Sequence, residues 1–181
     1  LITLLNHKKV GHIFVSDESI KQEFWNYASK QKYFKTAQIH TVTDTCSFFT
    51  GKAKLKFLHP DKSYHPLNEN NASLVCRLDT QKERFLFTGD IEAEAENYLV
   101  DNYAQELKAD FLKIPHHGSR SSSSSEFLQA VNPQEVWITA SRRNSYHFPH
   151  PETIKRLQKQ QCQILLTGNG TIRKMIDSRS N

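Results

Sequence analysis

The chain has 181 residues, 37% of them hydrophobic and 24% charged, with apolar stretches spread along its length; this excludes global disorder and suits one domain. No run approaches the roughly 20 apolar residues that a membrane span requires. The formal charge of +5 is uneven: residues 91–110 carry six acids and one lysine, and residues 111–181 carry ten Lys/Arg against four Asp/Glu. A basic second half suits an anionic substrate such as a phosphodiester, and equally a solvated basic face with no ligand.

The start, LITLLNHKKVGHIF, is apolar but lacks a basic leader, so it does not read as a secretory signal. It also lacks Met and reads as mid-helix, which implies a piece of something longer. Leu1–Leu5 reads as the tail of an amphipathic helix and residues 11–16 as a strand. Residues 17–34 read as a helix capped by Asp17 or Ser16, with Ile20, Phe24, Tyr27 and Ala28 at helical spacing. Residues 37–43, 46–50 and 53–60 read as strands, the last alternating Leu55 and Phe57 with Lys54 and Lys56. Residues 72–79 and 84–90 form a hairpin around the polar TQKE, and the second strand ends in Thr-Gly-Asp.

A helix with acids in its first turn follows, where the helix dipole favours them. Then come a strand (ADFLKIP), a helix (SSSEFLQAV), a strand (EVWITAS) and a helix with Pro151 at its first position. QCQILLT and GTIRKMI are expected to close the sheet. Alternating strands and helices define an α/β layered fold. Cys46, Cys76 and Cys162 are far apart, with no C-x-x-C pair, and read as buried thiols.

Three apolar strands end in residues able to bind a metal or move a proton: Asp90 after FLFTG, His116 and His117 after FLKIP, and His147 and His150 in SYHFPHP. In a sheet with short crossovers such ends gather at one rim. An Asp and His there suit a divalent ion, with zinc or manganese favoured by neutral imidazole. Each piece also has a plainer reading: Asp90 as a helix cap, the twin histidines as a hydrogen-bonded turn, and His147 and His150 as loop residues fixed by prolines. His7, His12, His40, His59 and His65 read as surface or loop residues.

Taken in order, NNASLVCRLD, RFLFTGDIEAEAENYL, ADFLKIPHHGSRSSSSSEFLQAV and SYHFPHPETIKRL resemble the metallo-β-lactamase-like domain of the ComEC/Rec family of competence proteins, over roughly Leu55 to Ile176. The chain departs from the family pattern at 147–150, where HFPH stands in place of an uninterrupted His-Pro-His. The resemblance implies a four-layer αββα sandwich, with residues 1–181 forming a single, N-terminally incomplete domain. It also implies a metal-dependent hydrolase whose ion-activated water attacks a phosphodiester.

Transferred residue by residue, Asp90 is the bridging carboxylate and His116 a metal ligand. His117 is a catalytic or substrate-facing imidazole, Ser119 contacts the substrate phosphate, and His150, with His147, positions substrate. The family's His-x-His/Asp-x-Asp-His metal cluster is not found here, and HPDKSYH at 59–65 has the wrong order. With that cluster missing, zinc or manganese is expected to be held weakly or not at all, and the chain alone to be inactive. The parent is expected to be a longer protein with transmembrane segments, acting on DNA during uptake at the outer face of the bacterial cytoplasmic membrane. The alternatives are a stand-alone hydrolase of a phosphoester or small-molecule ester, and a degenerate domain that binds DNA or a partner.

Overall fold

The computed structural model describes residues 7–17, 24–31 and 34–175. Two parallel strands, β1 (His12–Ser16) and β2 (Gln38–Val42), form a small sheet, and the short helix α1 (Phe24–Ala28) lies between them in sequence. Strand alternation divides the faces of β1. Ile13 and Val15 point to Ala28, Trp25 and Phe34, whereas Phe14 turns the other way and meets Phe48 and Phe57 at ring separations of 5.3 and 4.9 Å.

Seven further strands form one sheet in chain order: β3 (Cys46–Thr50), β4 (Ala53–His59), β5 (Val75–Asp79), β6 (Arg84–Phe87), β7 (Phe111–Lys113), β8 (Glu135–Ile138) and β9 (Gln163–Leu166). The pairs from β3 to β6 are antiparallel and those from β6 to β9 parallel. A parallel pair needs a crossover, and α2 (Ala93–Leu107), α3 (Ser125–Val131) and α4 (Pro151–Lys159) supply the three. Leu86, Leu112, Val136 and Ile138 from the strands meet Leu99, Phe127, Leu128 and Leu157 from these helices in the main core. The layers therefore run helices, seven-stranded sheet, two-stranded sheet, α1: the αββα order of a metallo-β-lactamase-like sandwich.

Several expectations need correction or fall outside the described residues. Leu1–Leu5, most of the first half of the 17–34 helix, and Ile176 lie outside them. GTIRKMI does not add a strand over its described part. After a 3-10 turn at Thr167–Asn169, this segment crosses the open face of the large sheet. There Ile172 joins Leu78, Phe85, Phe87 and Trp137 around an apolar groove, and the Lys174 ammonium sits 4.0 Å from the Phe111 ring.

His59 is not a surface residue. It is fully buried at the end of β4, and its Nε2–H donates to the Asn71 carbonyl at 2.7 Å. Cys46 is exposed rather than buried, and burial pushes the Cys76 thiol up to about 11.

The serine run is an ordered latch. Glu96 is fully buried, and its carboxylate accepts the backbone N–H of Ser123 and, at 2.8 Å, that of Ser124. Burial pushes this carboxyl up despite those two donors. Ser122 Oγ donates to the carbonyls of Pro115 and Ser119, and Ser124 Oγ accepts Phe127 N–H as the N-cap of α3. The loop after β7 is thereby tied to α2. Glu96→Ala strands two buried N–H groups and is expected to cost about 2–3 kcal/mol in urea unfolding. Glu96→Gln keeps one acceptor oxygen and should lose less.

Candidate active site

The parallel arrangement of β6, β7 and β8 sends their C-terminal ends to one rim, and side-chain and backbone bonds tie the ends together. Thr88 Oγ1 donates to the Lys113 carbonyl at 2.7 Å, and His116 N–H reaches the Gly89 carbonyl at 3.3 Å. Ile114 N–H donates to the Trp137 carbonyl at 2.9 Å. Gly89 is required in its turn: its φ is +56°, and a Cβ there would stand 2.5 Å from Ser73 Cβ. Ser73 Oγ also accepts Asp90 N–H at 3.0 Å, which fixes the carboxylate's backbone. Asp90 is not the cap of α2, whose N-cap position is Glu92.

His116 and His117 both occupy the left-handed region, at φ +45° and +56°. That conformation costs non-glycine residues roughly 1–2 kcal/mol each, so the surroundings must enforce it. His117 Nδ1 lies 2.6 Å from the Thr139 carbonyl. A carbonyl can only accept, so Nδ1 carries the proton and the neutral ring keeps its lone pair on Nε2. That Nε2 is 3.8 Å from Asp90 Oδ1.

His116 Nδ1 faces Glu92 Oε1 at 3.2 Å, which likewise places its proton on Nδ1. Burial pushes the Glu92 carboxyl up, but the Ser121 hydroxyl, the Asn68 amide and His116 outweigh it and hold the group below the usual carboxylate range. Lys113 supplies a cation beside the pair. Its Nζ donates to the Gly89 carbonyl at 2.8 Å and lies 3.8 Å from Asp90 Oδ1, and burial lowers its pKa against the pull of Asp90.

Asp90, His116 and His117 share a cavity of about 380 Å³ with Thr139, Asn144 and Phe148. His147 lines a neighbouring hollow instead. Ser119 and His150 do not line this cavity. Ser119 is buried, with its Oγ 2.9 Å from Ser121 Oγ and its carbonyl accepting Thr153 Oγ1. His150 Nδ1 accepts Arg120 N–H at 3.0 Å, so its Nε2 carries the proton and can donate.

The sequence reading passed over Glu92, Lys113, Thr139 and Asn144. Lys113 had a signal, as the one charged residue inside an apolar strand, and Glu92 had its position two residues after Asp90. Nothing local marked Thr139.

Neutral imidazole and carboxylate are suitable donors for a divalent ion, and the Thr139 carbonyl behind His117 and the Glu92 carboxylate behind His116 are the outer partners that metal-binding histidines use. The fit is partial. Among the described residues no group of three or more His, Cys, Asp or Glu side chains stands together to hold an ion. The α/β/β/α layering and an acid–imidazole rim define a metallo-hydrolase type of protein.

The comparisons agree. Residues 20–138 match the family model of the metallo-β-lactamase superfamily, and the chain belongs to that superfamily, which is metal-dependent. It is 38% identical over 115 residues to ComE operon protein 3 of Bacillus subtilis (strain 168), covering 63% of this chain and 15% of that protein. It is 31% identical over 112 residues to competence protein ComA of Neisseria gonorrhoeae, covering 62% and 16%. These relatives are consistent with the ComEC/Rec competence family. The chain spans 12–16% of the length of the curated relatives it matches. The solved structure of Tm1679, a metal-dependent hydrolase of the β-lactamase superfamily, superimposes with a TM-score of 0.58 at 12% identity, over 96% of this chain and 74% of that one, which shows the shared fold.

Gly118 seats the 147–150 loop against the histidine turn. Its φ is +85°, and an added Cβ would stand 2.6 Å from Pro149 Cβ. Gly118→Ala is expected to lose about 2 kcal/mol or more in urea unfolding, because strain and collision add.

Proposed function

We propose that the chain is a ComEC-like hydrolase domain acting on DNA phosphodiesters during DNA uptake, as one domain of a longer membrane protein, at the outer face of the cytoplasmic membrane. The observation that carries this reading is the His117–Asp90 pair, where a lone pair whose tautomer is fixed from behind faces a carboxylate at 3.8 Å. The similarity to competence proteins supplies the substrate class. Asp90 and His116 would hold a divalent ion, zinc or manganese, together with further donors, and His117 would stand beside them as the catalytic or substrate-facing imidazole. Such an ion supplies hydroxide near neutral pH by lowering the pKa of bound water.

The chain's own residues do the rest. Thr139 and Glu92 keep the ring protons on the Nδ1 atoms, so that both Nε2 atoms offer lone pairs. Lys113 balances the Asp90 charge and pins the Thr-Gly-Asp turn. His150 Nε2–H is the donor we assign to an incoming phosphate; the Ser119 hydroxyl would first have to leave Ser121 Oγ, and His147 would act from the neighbouring hollow.

Two donors, Asp90 and His116, fall short of the three protein ligands of a catalytic zinc site, so the 181 residues alone should hold zinc or manganese sub-stoichiometrically after dialysis. Elemental analysis reads this directly, and a full equivalent of tightly held ion would refute it. In a longer polypeptide that carries an upstream His-x-Asp-x-Asp-His cluster, Asp90→Ala should abolish manganese-dependent DNA cleavage. Unchanged turnover would remove Asp90 from the centre. Cleavage of small phosphoesters with DNA left intact would favour the stand-alone hydrolase, and full DNA binding without turnover the non-catalytic domain.

A further inference from the structure

Aromatic rings run from the surface to the candidate centre. Tyr146 is 71% exposed, and its ring stacks on Phe148 at 5.6 Å with 15° between the planes. Phe148 in turn stacks on His117 at 6.1 Å and 23°. Centroid separations of this size are those of offset stacks. A lone exposed aromatic needs no explanation, but one that ends a continuous stack into a polar cavity is placed there by the fold.

The cavity at Asp90 and a second hollow of about 650 Å³ share Asn144 and Phe148 as a common wall. The second hollow is lined by Arg142, Arg143, Ser145 and His147, and Tyr146 lines the Asp90 cavity, so Phe148 has cations on one side and the tyrosine on the other.

The loop is built in advance. Asn144 Nδ2 donates to the carbonyls of Ser141 and Phe148 at 2.9 and 2.8 Å, and its Oδ1 accepts Phe148 N–H at 2.9 Å. Arg142 Nε donates to Asn169 Oδ1 at 3.2 Å. A rigid aromatic shelf flanked by guanidinium groups loses little freedom when it binds.

We propose that Tyr146 and Phe148, flanked by Arg142 and Arg143, form a stacking subsite for a nucleobase of single-stranded DNA and present the adjoining phosphodiester to the Asp90–His117 cavity. The proposal rests on reading that cavity as a phosphodiester centre. A base in a duplex already has both faces covered by its neighbours, so an open tyrosine face selects the single strand. The arginines take the phosphates on either side, which makes affinity depend on salt.

Fluorescence anisotropy with a labelled oligothymidylate of a dozen nucleotides, in chelator so that no cleavage occurs, tests the subsite. Tyr146→Ala is expected to weaken binding about tenfold and Tyr146→Phe about twofold at most, since stacking needs the ring and not the hydroxyl. An abasic strand of equal length should bind the unaltered protein more weakly and be indifferent to Tyr146→Ala. Arg142→Ala and Arg143→Ala should weaken both strands and flatten the salt dependence. Tyr146 is exposed, so its variants should fold, and the unfolding curve verifies it.

Unchanged affinity in Tyr146→Ala, or the same loss on the abasic strand or a duplex, overturns the subsite. Unchanged salt dependence in both arginine variants overturns the flanking assignment. Retained cleavage in Asp90→Ala strikes at the hydrolytic assignment and leaves the stacking measurement as it was, so the two failures are distinguishable.

Discussion

The hydrogen bond from His117 Nδ1–H to the Thr139 carbonyl is the contact on which the site depends. It prolongs the β7–β8 ladder past the point where backbone pairing stops, three residues beyond the Ile114–Trp137 bond. Because the acceptor belongs to a strand end, the imidazole inherits the rigidity of the sheet rather than the freedom of a loop. Remove the carbonyl, and neither the ring's orientation nor its tautomer is specified; the distance to Asp90 then has no cause.

The same bond explains how two consecutive histidines persist in a conformation that glycine would adopt at no steric cost. Glycine at 116 and 117 would relieve the strain and delete both imidazoles. Histidine is retained at roughly 1–2 kcal/mol per residue because each ring has a fixed acceptor, Glu92 for one and Thr139 for the other. Gly118, at φ +85°, then completes the turn at the position where a side chain would strike Pro149. The division of residue types along PHHG thus follows the space available.

Much of this was legible in the sequence, and the reasons are particular. Strands β4 to β8 announced themselves by alternation or by short apolar runs between turn residues, and the crossover helices by their caps and acids. Since parallel crossovers place strand ends together, the sequence alone brings Asp90 and the twin histidines to one rim. What failed to show was long-range. Thr139 acts through its carbonyl, which no residue type marks. Glu96 reads only as one of the acids in the first turn of α2, because its partners are backbone N–H groups 27 and 28 residues away. His59 looked like a loop residue because Pro60 follows it, yet its buried ring closes on Tyr64 at 4.4 Å. GTIRKMI has strand-like composition, but over its described part it pairs with no strand and lays Ile172 and Lys174 against the face of the sheet.

The acids of α2 carry a consequence for how the rim meets a polyanion. Counted along the sequence, residues 91–110 would oppose DNA. In the fold five of those six acids are engaged by other groups of the protein: Glu106 pairs with Lys56, Asp110 accepts Arg84 N–H, and the first three turn towards neighbouring loops. Glu92 takes His116, Ser121 and Asn68, Glu94 takes Tyr64 and Asn71, and Glu96 takes the serine latch. Carboxylates turned inward to satisfy donors project less field into solvent than the same charges on a free helix face. Arg120, Arg142 and Arg143 near the same rim are exposed. The rim thus presents exposed guanidinium groups, while the carboxylates at the start of α2 are taken up by internal donors and brace the serine loop.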